Sequence, residues 1–327
     1  MQSAVVDCVA ARKNVRDLHA LMCCSAGTYE AGVRSMATRA ISADVLSLDQ
    51  LRRFPRGVKM TTLRMRRGAY DEALAAWARE GYEAIGPKGF ARHAPAHVDV
   101  RGTTQGRLVL LWPPATLRSI VLNLRAVPDG IDAVNLRALA ACGDRLETLK
   151  VCTDVGAPIR DLSPLARLTG IRTLFLEYVM VGDVGPLATL TALESLTLHS
   201  DDEGIVSLSA LSALQRLTHL DVYCFPATAE TGNAVRALAG SLRHLHLGHL
   251  QNPLDDAALA ACTGLTRLDV LDPFDLRALD GMRSLAELHL TDDEDLVTDA
   301  DVADVARRPG LAVFRGERRI LGAPGNP

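Results

Sequence analysis

Aromatic residues are scarce in this 327-residue chain, 4% in all, with two Trp, five Tyr and six Phe. Rings of that size dominate most compact cores, so their scarcity points to a core filled by aliphatic side chains. No apolar run approaches the roughly 18 residues that a membrane-crossing helix needs. Asp7, Arg12 and Lys13 interrupt any apolar stretch of the secretory-signal kind. There is no N-x-S/T sequon and no C-x-x-C pair, which removes support for zinc-ribbon and thioredoxin readings. The seven cysteines are an odd number, with Cys23 and Cys24 adjacent and the rest scattered. Such usage fits a reduced compartment, so a cytoplasmic or nuclear location is expected.

Signatures of catalysis are missing too. The chain holds no G-x-x-x-x-G-K, G-x-G-x-x-G, G-x-S-x-G or H-E-x-x-H. Neither an enzyme nor a cofactor is expected. Net charge is only −3, but it is unevenly spread. Residues 1–116 carry 17 Lys/Arg against 10 Asp/Glu, and residues 117–327 carry 19 against 29. The arginines of the basic part are dispersed and few aromatics interleave them, so they read as solvated surface and not as a nucleic-acid site. The acidic part should favour basic protein partners.

What the chain has in quantity is leucine at fixed spacing. Leu146-Glu-Thr-Leu149-Lys-Val151 reads L-x-x-L-x-V. The pattern recurs at Leu117-Ile120-Leu122, Ile171-Leu174-Leu176, Leu193-Leu196-Leu198, Leu217-Leu220-Val222, Leu242-Leu245-Leu247, Leu265-Leu268-Val270 and Leu285-Leu288-Leu290. Successive units start 29, 25, 22, 24, 25, 23 and 20 residues apart. In an extended segment side chains alternate, so the fourth and sixth residues of each unit share one face. One unit cannot bury them alone, but stacked neighbours can. Apolar clusters such as Leu162, Leu165 and Leu168, or Val184, Leu187 and Leu190, should pack behind the strands as short helices or 3₁₀ turns.

These units resemble leucine-rich repeats. The resemblance implies an α/β solenoid, a horseshoe with a parallel β-sheet on its concave face. Asp161-Leu-Ser-Pro-Leu-Ala-Arg-Leu-Thr169 and Asp183-Val-Gly-Pro-Leu-Ala-Thr-Leu-Thr191 are similar to the short internalin-type subclass. Ala260-Ala-Cys-Thr-Gly-Leu265 is similar to the cysteine-containing subclass of F-box proteins. At the ninth position, where those families place Asn or Cys, this chain has Asp154, Val179, Asp201, Phe225, Leu250, Pro273 and Asp293. Irregular loops are expected there.

Four parts follow from the pattern. Residues 1–53 read as a helical cap, with four short helices, the last capped by Ser42 and carrying Val45, Leu48 and Leu51. Residues 54–116 read as divergent repeats, with strands at Met60-Thr-Thr-Leu63-Arg-Met65 and Pro95-Ala-His-Val98-Asp-Val100 and a helix over 70–79 between them. Residues 117–321 form the regular solenoid, with Leu311 and Phe314 in a closing unit, and 322–327 a loose tail. Within the first part, Val15-Arg-Asp-Leu-His-Ala-Leu-Met-Cys-Cys-Ser25 resembles the central segment of an F-box, without that motif's opening Leu-Pro. The resemblance implies a substrate receptor of a cullin-type ubiquitin ligase. Asp17, Leu18, Leu21 and Cys24 would then meet a Skp-type adaptor. A purely structural cap on a stand-alone repeat scaffold is the competing reading.

The outward strand positions are the candidate partner-binding face. At the third position stand Thr173, Ser195, His219, His244, Arg267 and Glu287. Phe175, Thr197, Asp221, His246, Asp269 and His289 follow at the fifth, and Glu177, His199 and Tyr223 at the seventh. Of these, Phe175, Glu177, His199, His219, Asp221, Tyr223, His244, His246, Arg267, Asp269 and His289, with Tyr178, should hold a polar peptide or protein, and protonating His246 and His289 near pH 6 should change its affinity. A row of His and Asp also suits zinc or nickel chemically, but ligation needs convergence on one point. The carboxylates Asp292-Asp-Glu-Asp295, with Asp272 and Asp275, lack EF-hand spacing and read as a solvated rim.

Overall fold

The computed structural model describes residues 41–45, 60–65, 72, 75, 95–103, 116–124, 136–153, 158–200, 207–223, 229–248, 255–271, 274–290, 302, 305, 308–315 and 318–321. The expected adaptor-side residues Asp17, Leu18, Leu21 and Cys24 lie outside them, as do the first three expected helices, the Asp292–Asp295 run and the tail. The chain divides into two compact units, Met1–Ala157 and Pro158–Pro327. The division falls inside the run of repeats.

Among the described residues of the first unit, five strands follow one another in parallel. They are β1 (Ile41–Val45), β2 (Met60–Met65), β3 (His97–Thr103), β4 (Ser119–Leu124) and β5 (Thr148–Thr153). β2 and β3 stand where the divergent repeats were expected, and Glu72 and Ala75 lie in helical backbone between them. β1 corrects the expected fourth helix over Ser42–Val45, and the rest of that helix lies outside the described residues. Val45, Leu48 and Leu51 have helical spacing, yet Ile41–Val45 is a strand that pairs with β2. A five-residue segment carries too few residues for periodicity to separate helix from strand, and the exposed edge of β2 decides it. Alternation is clear in β4, where Ile120, Leu122 and Leu124 are buried and Ser119, Val121 and Asn123 half-buried.

The second unit repeats the same plan more regularly. β6 (Thr173–Leu176), β7 (Ser195–His199), β8 (His219–Tyr223), β9 (His244–Gly248), β10 (Arg267–Val270), β11 (Glu287–Leu290) and β12 (Ala312–Arg315) run parallel in chain order. β13 (Arg318–Leu321) then turns back antiparallel to β12. The closing unit expected from Leu311 and Phe314 is thus β12, with Leu311 buried. In each unit the first, fourth and sixth positions point inward. Leu193, Leu196 and Leu198, for example, are all 1% exposed or less. At roughly 1.5–3 kcal/mol per fully buried aliphatic side chain, this stacked column is the main stabilising contribution.

Behind the strands the chain makes short turns, as the second apolar clusters require. Ser163–Arg167, Gly185–Thr189 and Ser209–Ala213 are 3₁₀ turns, whereas the unit starting at Leu217 accommodates a ten-residue helix, α1 (Ala229–Leu238). α2 (Asp256–Ala260) and a 3₁₀ turn at Leu276–Leu279 follow. One local device starts most of them. A side-chain oxygen accepts from the backbone N–H two residues on, from Asp161 to Ser163 (2.9 Å), Asp183 to Gly185 (2.8 Å), Asp255 to Ala257 (2.9 Å) and Asp275 to Arg277 (2.9 Å). Asp in this role satisfies a donor that a short helix leaves without a partner. Pro164 and Pro186, early in their turns, have no such N–H to satisfy.

Successive repeats are also tied by shared carbonyls. Arg172 O accepts from Glu194 N (2.8 Å) and Ser195 N (2.9 Å), and Thr218 O from Arg243 N (2.8 Å) and His244 N (2.9 Å). The same step recurs at Glu194, Arg243 and Thr266. After β6 the chain is ordered by hydrogen bonds despite the unusual ninth position, Val179. Val179 N donates to His199 O (2.9 Å), and Ser200 Oγ donates to Val179 O (2.6 Å).

Candidate binding face

The parallel register sets the outward side chains of the second unit into rows. Thr173, Ser195, His219, His244, Arg267, Glu287 and Ala312 are partners across successive strands. Phe175, Thr197, Asp221, His246, Asp269, His289 and Phe314 form the adjacent row. His199, Tyr223 and Gly248 begin a third. Since parallel strands sit about 4.8 Å apart, each row is a ladder of neighbouring side chains.

The polar side chains sort into two clusters. Asp221 is the centre of the first, with His246 Nδ1 2.9 Å and His199 Nε2 3.3 Å from the same oxygen, Oδ1. Burial would push this carboxyl up, but hydrogen bonds from His199 and His246 outweigh it and hold it well below the usual carboxylate range. Its hydrogen bond to Asp221 in turn raises His246's pKa, against the opposing effect of burial. In the second cluster Arg267 grips Asp269 with two nitrogens, Nε to Oδ2 at 2.9 Å and Nη2 to Oδ1 at 3.2 Å. Its Nη1 reaches Glu287 Oε2 at 3.2 Å. The Asp269 bond raises the guanidinium's already high pKa, so Arg267 is a permanent cation. His289 lies between the acids, 3.6 Å from Asp269 Oδ1 and 3.7 Å from Glu287 Oε2.

Aromatic rings extend both clusters. Phe175 meets His199 edge-on with centroids 5.8 Å apart, and His199 leans on Tyr223 at 5.6 Å. At the other end His289 stacks on Phe314, 4.4 Å apart and nearly parallel. Gly248 is buried beneath Tyr223. A Cβ there would fall 2.8 Å from Tyr223 Cδ2, so glycine is what lets the ring lie across β9.

Of the expected face residues, His199, His219, Asp221, Tyr223, His244, His246, Arg267, Asp269, His289 and Phe175 stand in these rows. Glu177 lies one residue beyond β6. Tyr178 follows it with φ +58°, a left-handed backbone, and its carbonyl accepts from Ile159 N at 2.9 Å. Tyr178 therefore belongs to the loop beyond the strands and not to the rows. Glu287 and Phe314 join the site although neither was chosen as a contact. Glu287 occupies the third position of its unit, and Phe314 could have been found by carrying the register one strand further. The His and Asp side chains converge on each other, and among the described residues no group of three or more His, Cys, Asp or Glu is disposed to hold a metal ion.

The repeat architecture is shared with solved structures. An internalin F from Listeria monocytogenes superposes with a TM-score of 0.54 at 15% identity, over 86% of this chain and 75% of that one. A leucine-rich-repeat protein of Leptospira interrogans gives 0.50 at 13% identity, over 87% and 80%. These likenesses show the fold, which is the α/β leucine-rich-repeat solenoid. No protein-family model matches the sequence, and no curated protein matches it.

Proposed function

We propose that this chain is a non-enzymatic protein-binding scaffold and that strands β6–β11 hold the partner on their outward face. The observation that carries this reading is the row Asp221, His246, Asp269 and His289, one polar side chain per strand, flanked by Arg267 and Glu287. Side chains ordered by mutual contacts lose little further freedom on binding, and half-buried rings beside them supply contact area. Among the described outward residues on and just after β6–β11, Glu177, Asp221, Asp269 and Glu287 outnumber the cation Arg267, so the complementary partner is a polypeptide segment of net positive charge.

Peptide-display selection against the intact chain tests this, with counter-selection on an Asp269→Asn, Glu287→Gln variant. Lysine- or arginine-rich peptides that leave the variant at least about tenfold more readily would support it. Enriched peptides that bind both proteins equally would sink it.

A finer reading is favoured by one observation, the F-box-like stretch Val15–Ser25. In it the repeats present a substrate for ubiquitin transfer, and Asp17, Leu18, Leu21 and Cys24 meet a Skp-type adaptor. Pull-down of such an adaptor by the intact chain, lost in a folded Leu18→Asp, Leu21→Asp variant, would support the receptor. No capture leaves a stand-alone scaffold. An intracellular location accords with either, since Cys142 and Cys262 are free thiols built into the repeat core. Fractionation of cells producing the tagged chain tests that location.

A further inference from the structure

Two kinds of histidine share the open face of the second unit. His199, His246 and His289 each have a carboxylate oxygen within reach, at 3.3, 2.9 and 3.6 Å. His219 and His244 differ. Among the described residues neither has a carboxylate at ion-pair distance, and the two rings meet edge to face with centroids 4.2 Å apart. His219 Nδ1 is 2.8 Å from Thr218 Oγ1, which leaves Nε2 as its nitrogen with bonding capacity to spare. His219 is exposed and His244 half-buried.

Resting on the reading of this face as a protein-binding surface, we infer that the His219–His244 pair is an anion subsite that seats one carboxylate or phosphate group of the bound polypeptide. Two adjacent imidazoles repel when both are charged, and an anion bridging them offsets that cost. The surrounding charges leave the position to an incoming group. On β7 and just before it, Ser195 is neutral and Glu194 is paired with Arg172. On β8, Asp221 is held by His199 and His246. On β9, Arg243 turns to the carbonyls of Gly240 and Leu242, and His246 faces Asp221. On β10, Arg267 is in register with His244, and its guanidinium engages Asp269 and Glu287. Every carboxylate nearby is thus already engaged by a cation or an imidazole. Burial, and then the neighbouring His244, lower the pKa of His219, so that ring is short of a proton at neutral pH. Seating an anion therefore draws protons in, and binding strengthens as pH falls. A basic partner segment would be read at this one place through its single acidic or phosphorylated residue.

The test uses the full chain with ¹³C-labelled histidine rings, assigned through His219→Gln and His244→Gln. Inorganic phosphate, a glutamate-containing peptide, a phosphoserine peptide and a lysine peptide are each titrated in at pH 6.5 and at pH 8. Expected is movement of both rings toward their protonated positions with at least one of the three anions, larger at pH 6.5. Which peptide does so identifies the source of the anion. The lysine peptide should move neither ring, and the double glutamine variant, shown to be folded by circular dichroism, should bind the anionic peptide at least about tenfold more weakly. Two still rings with all three anions, or undiminished binding by the double variant, would overturn the subsite. Failure here is separable from failure of the scaffold reading. Selected basic peptides that need Asp269 and Glu287 while both rings stay still refute the subsite alone, whereas responding rings on a face that no peptide requires refute the scaffold alone.

Discussion

His246 Nδ1 lies 2.9 Å from Asp221 Oδ1 and so joins two adjacent strands of the second unit through an ionisable pair. Hydrogen bonding to Asp221 raises the pKa of His246 above its ordinary 6.5. A raised folded-state value means that the stabilisation is complete below about 6.5 and is lost as pH rises through the folded value. Asp221→Asn should therefore cost about 0.5–1 kcal/mol at pH 6 and distinctly less at pH 9. Urea melts at the two pH values check this, and equal losses would contradict it.

His219 should behave with the opposite sign. Its pKa is lowered, by burial first and His244 second, so folding favours the neutral ring. The stability this contributes is present above about 6.5 and is lost as pH falls through the folded value. His219→Gln should flatten the acid side of the stability–pH profile below about pH 6.5. A profile parallel to that of the unaltered chain would refute it.

Arg267 restrains the face as well as stabilising it. Its contacts with Asp269 and Glu287 neutralise the two acids that a basic partner would seek. Arg267→Ala should leave stability within about 1 kcal/mol, because the side chain is 41% exposed. Affinity for lysine-rich peptides should nevertheless rise several-fold at low salt, and the gain should shrink at about 1 M salt, where the Debye length falls to ~3 Å. Weaker lysine-peptide binding by calorimetry would show that Arg267 itself is a contact.

Alternation along β7 predicts a sharp contrast between neighbours. Leu198 is fully buried, and Leu198→Ala should destabilise by about 2–5 kcal/mol through lost burial and a residual cavity. Thr197, one residue earlier on the outward face, should tolerate Ala within about 0.5 kcal/mol. Denaturation midpoints of the two variants give the comparison.

The buried thiols should be chemically silent. Burial pushes Cys142 and Cys262 up to about 11, so the reactive thiolate is scarce at pH 8. Mass-spectrometric mapping after iodoacetamide should find both unmodified in the native chain and modified in urea. Native labelling comparable to that in urea would mean the repeat core opens readily.

Much of the architecture was legible because one spacing does two things. Leu193, Leu196 and Leu198 both fill the core and fix which residues between them face outward, so the rows could be read before any contact was known. Phe314 shows where such reading stopped. It obeys the register, but the closing strand β12 carries Val313 and Arg315 at the positions where β11 has Leu288 and Leu290, so the leucine pattern is broken there. β1 was misread because Ile41–Val45 is followed by apolar residues at helical spacing, and local periodicity carries no information about the free edge of β2. Tyr178, expected as an aromatic anchor, has a left-handed backbone in the loop after β6, a position that the strand alternation does not describe.

The sequence by itself determined the repeat, the inward column of aliphatic side chains and the membership of the outward rows, because those follow from a period of two along a strand and about 24 residues between strands. Only the tertiary structure decided the pairing within the rows. Asp221 takes His199 and His246, Asp269 is gripped by Arg267, and His219 is left facing His244. Those choices depend on rotamers and on which strand lies alongside, a matter of ångströms between residues that, Arg267 and Asp269 apart, stand some 20 positions from each other in the chain, and spacing along the chain does not encode them.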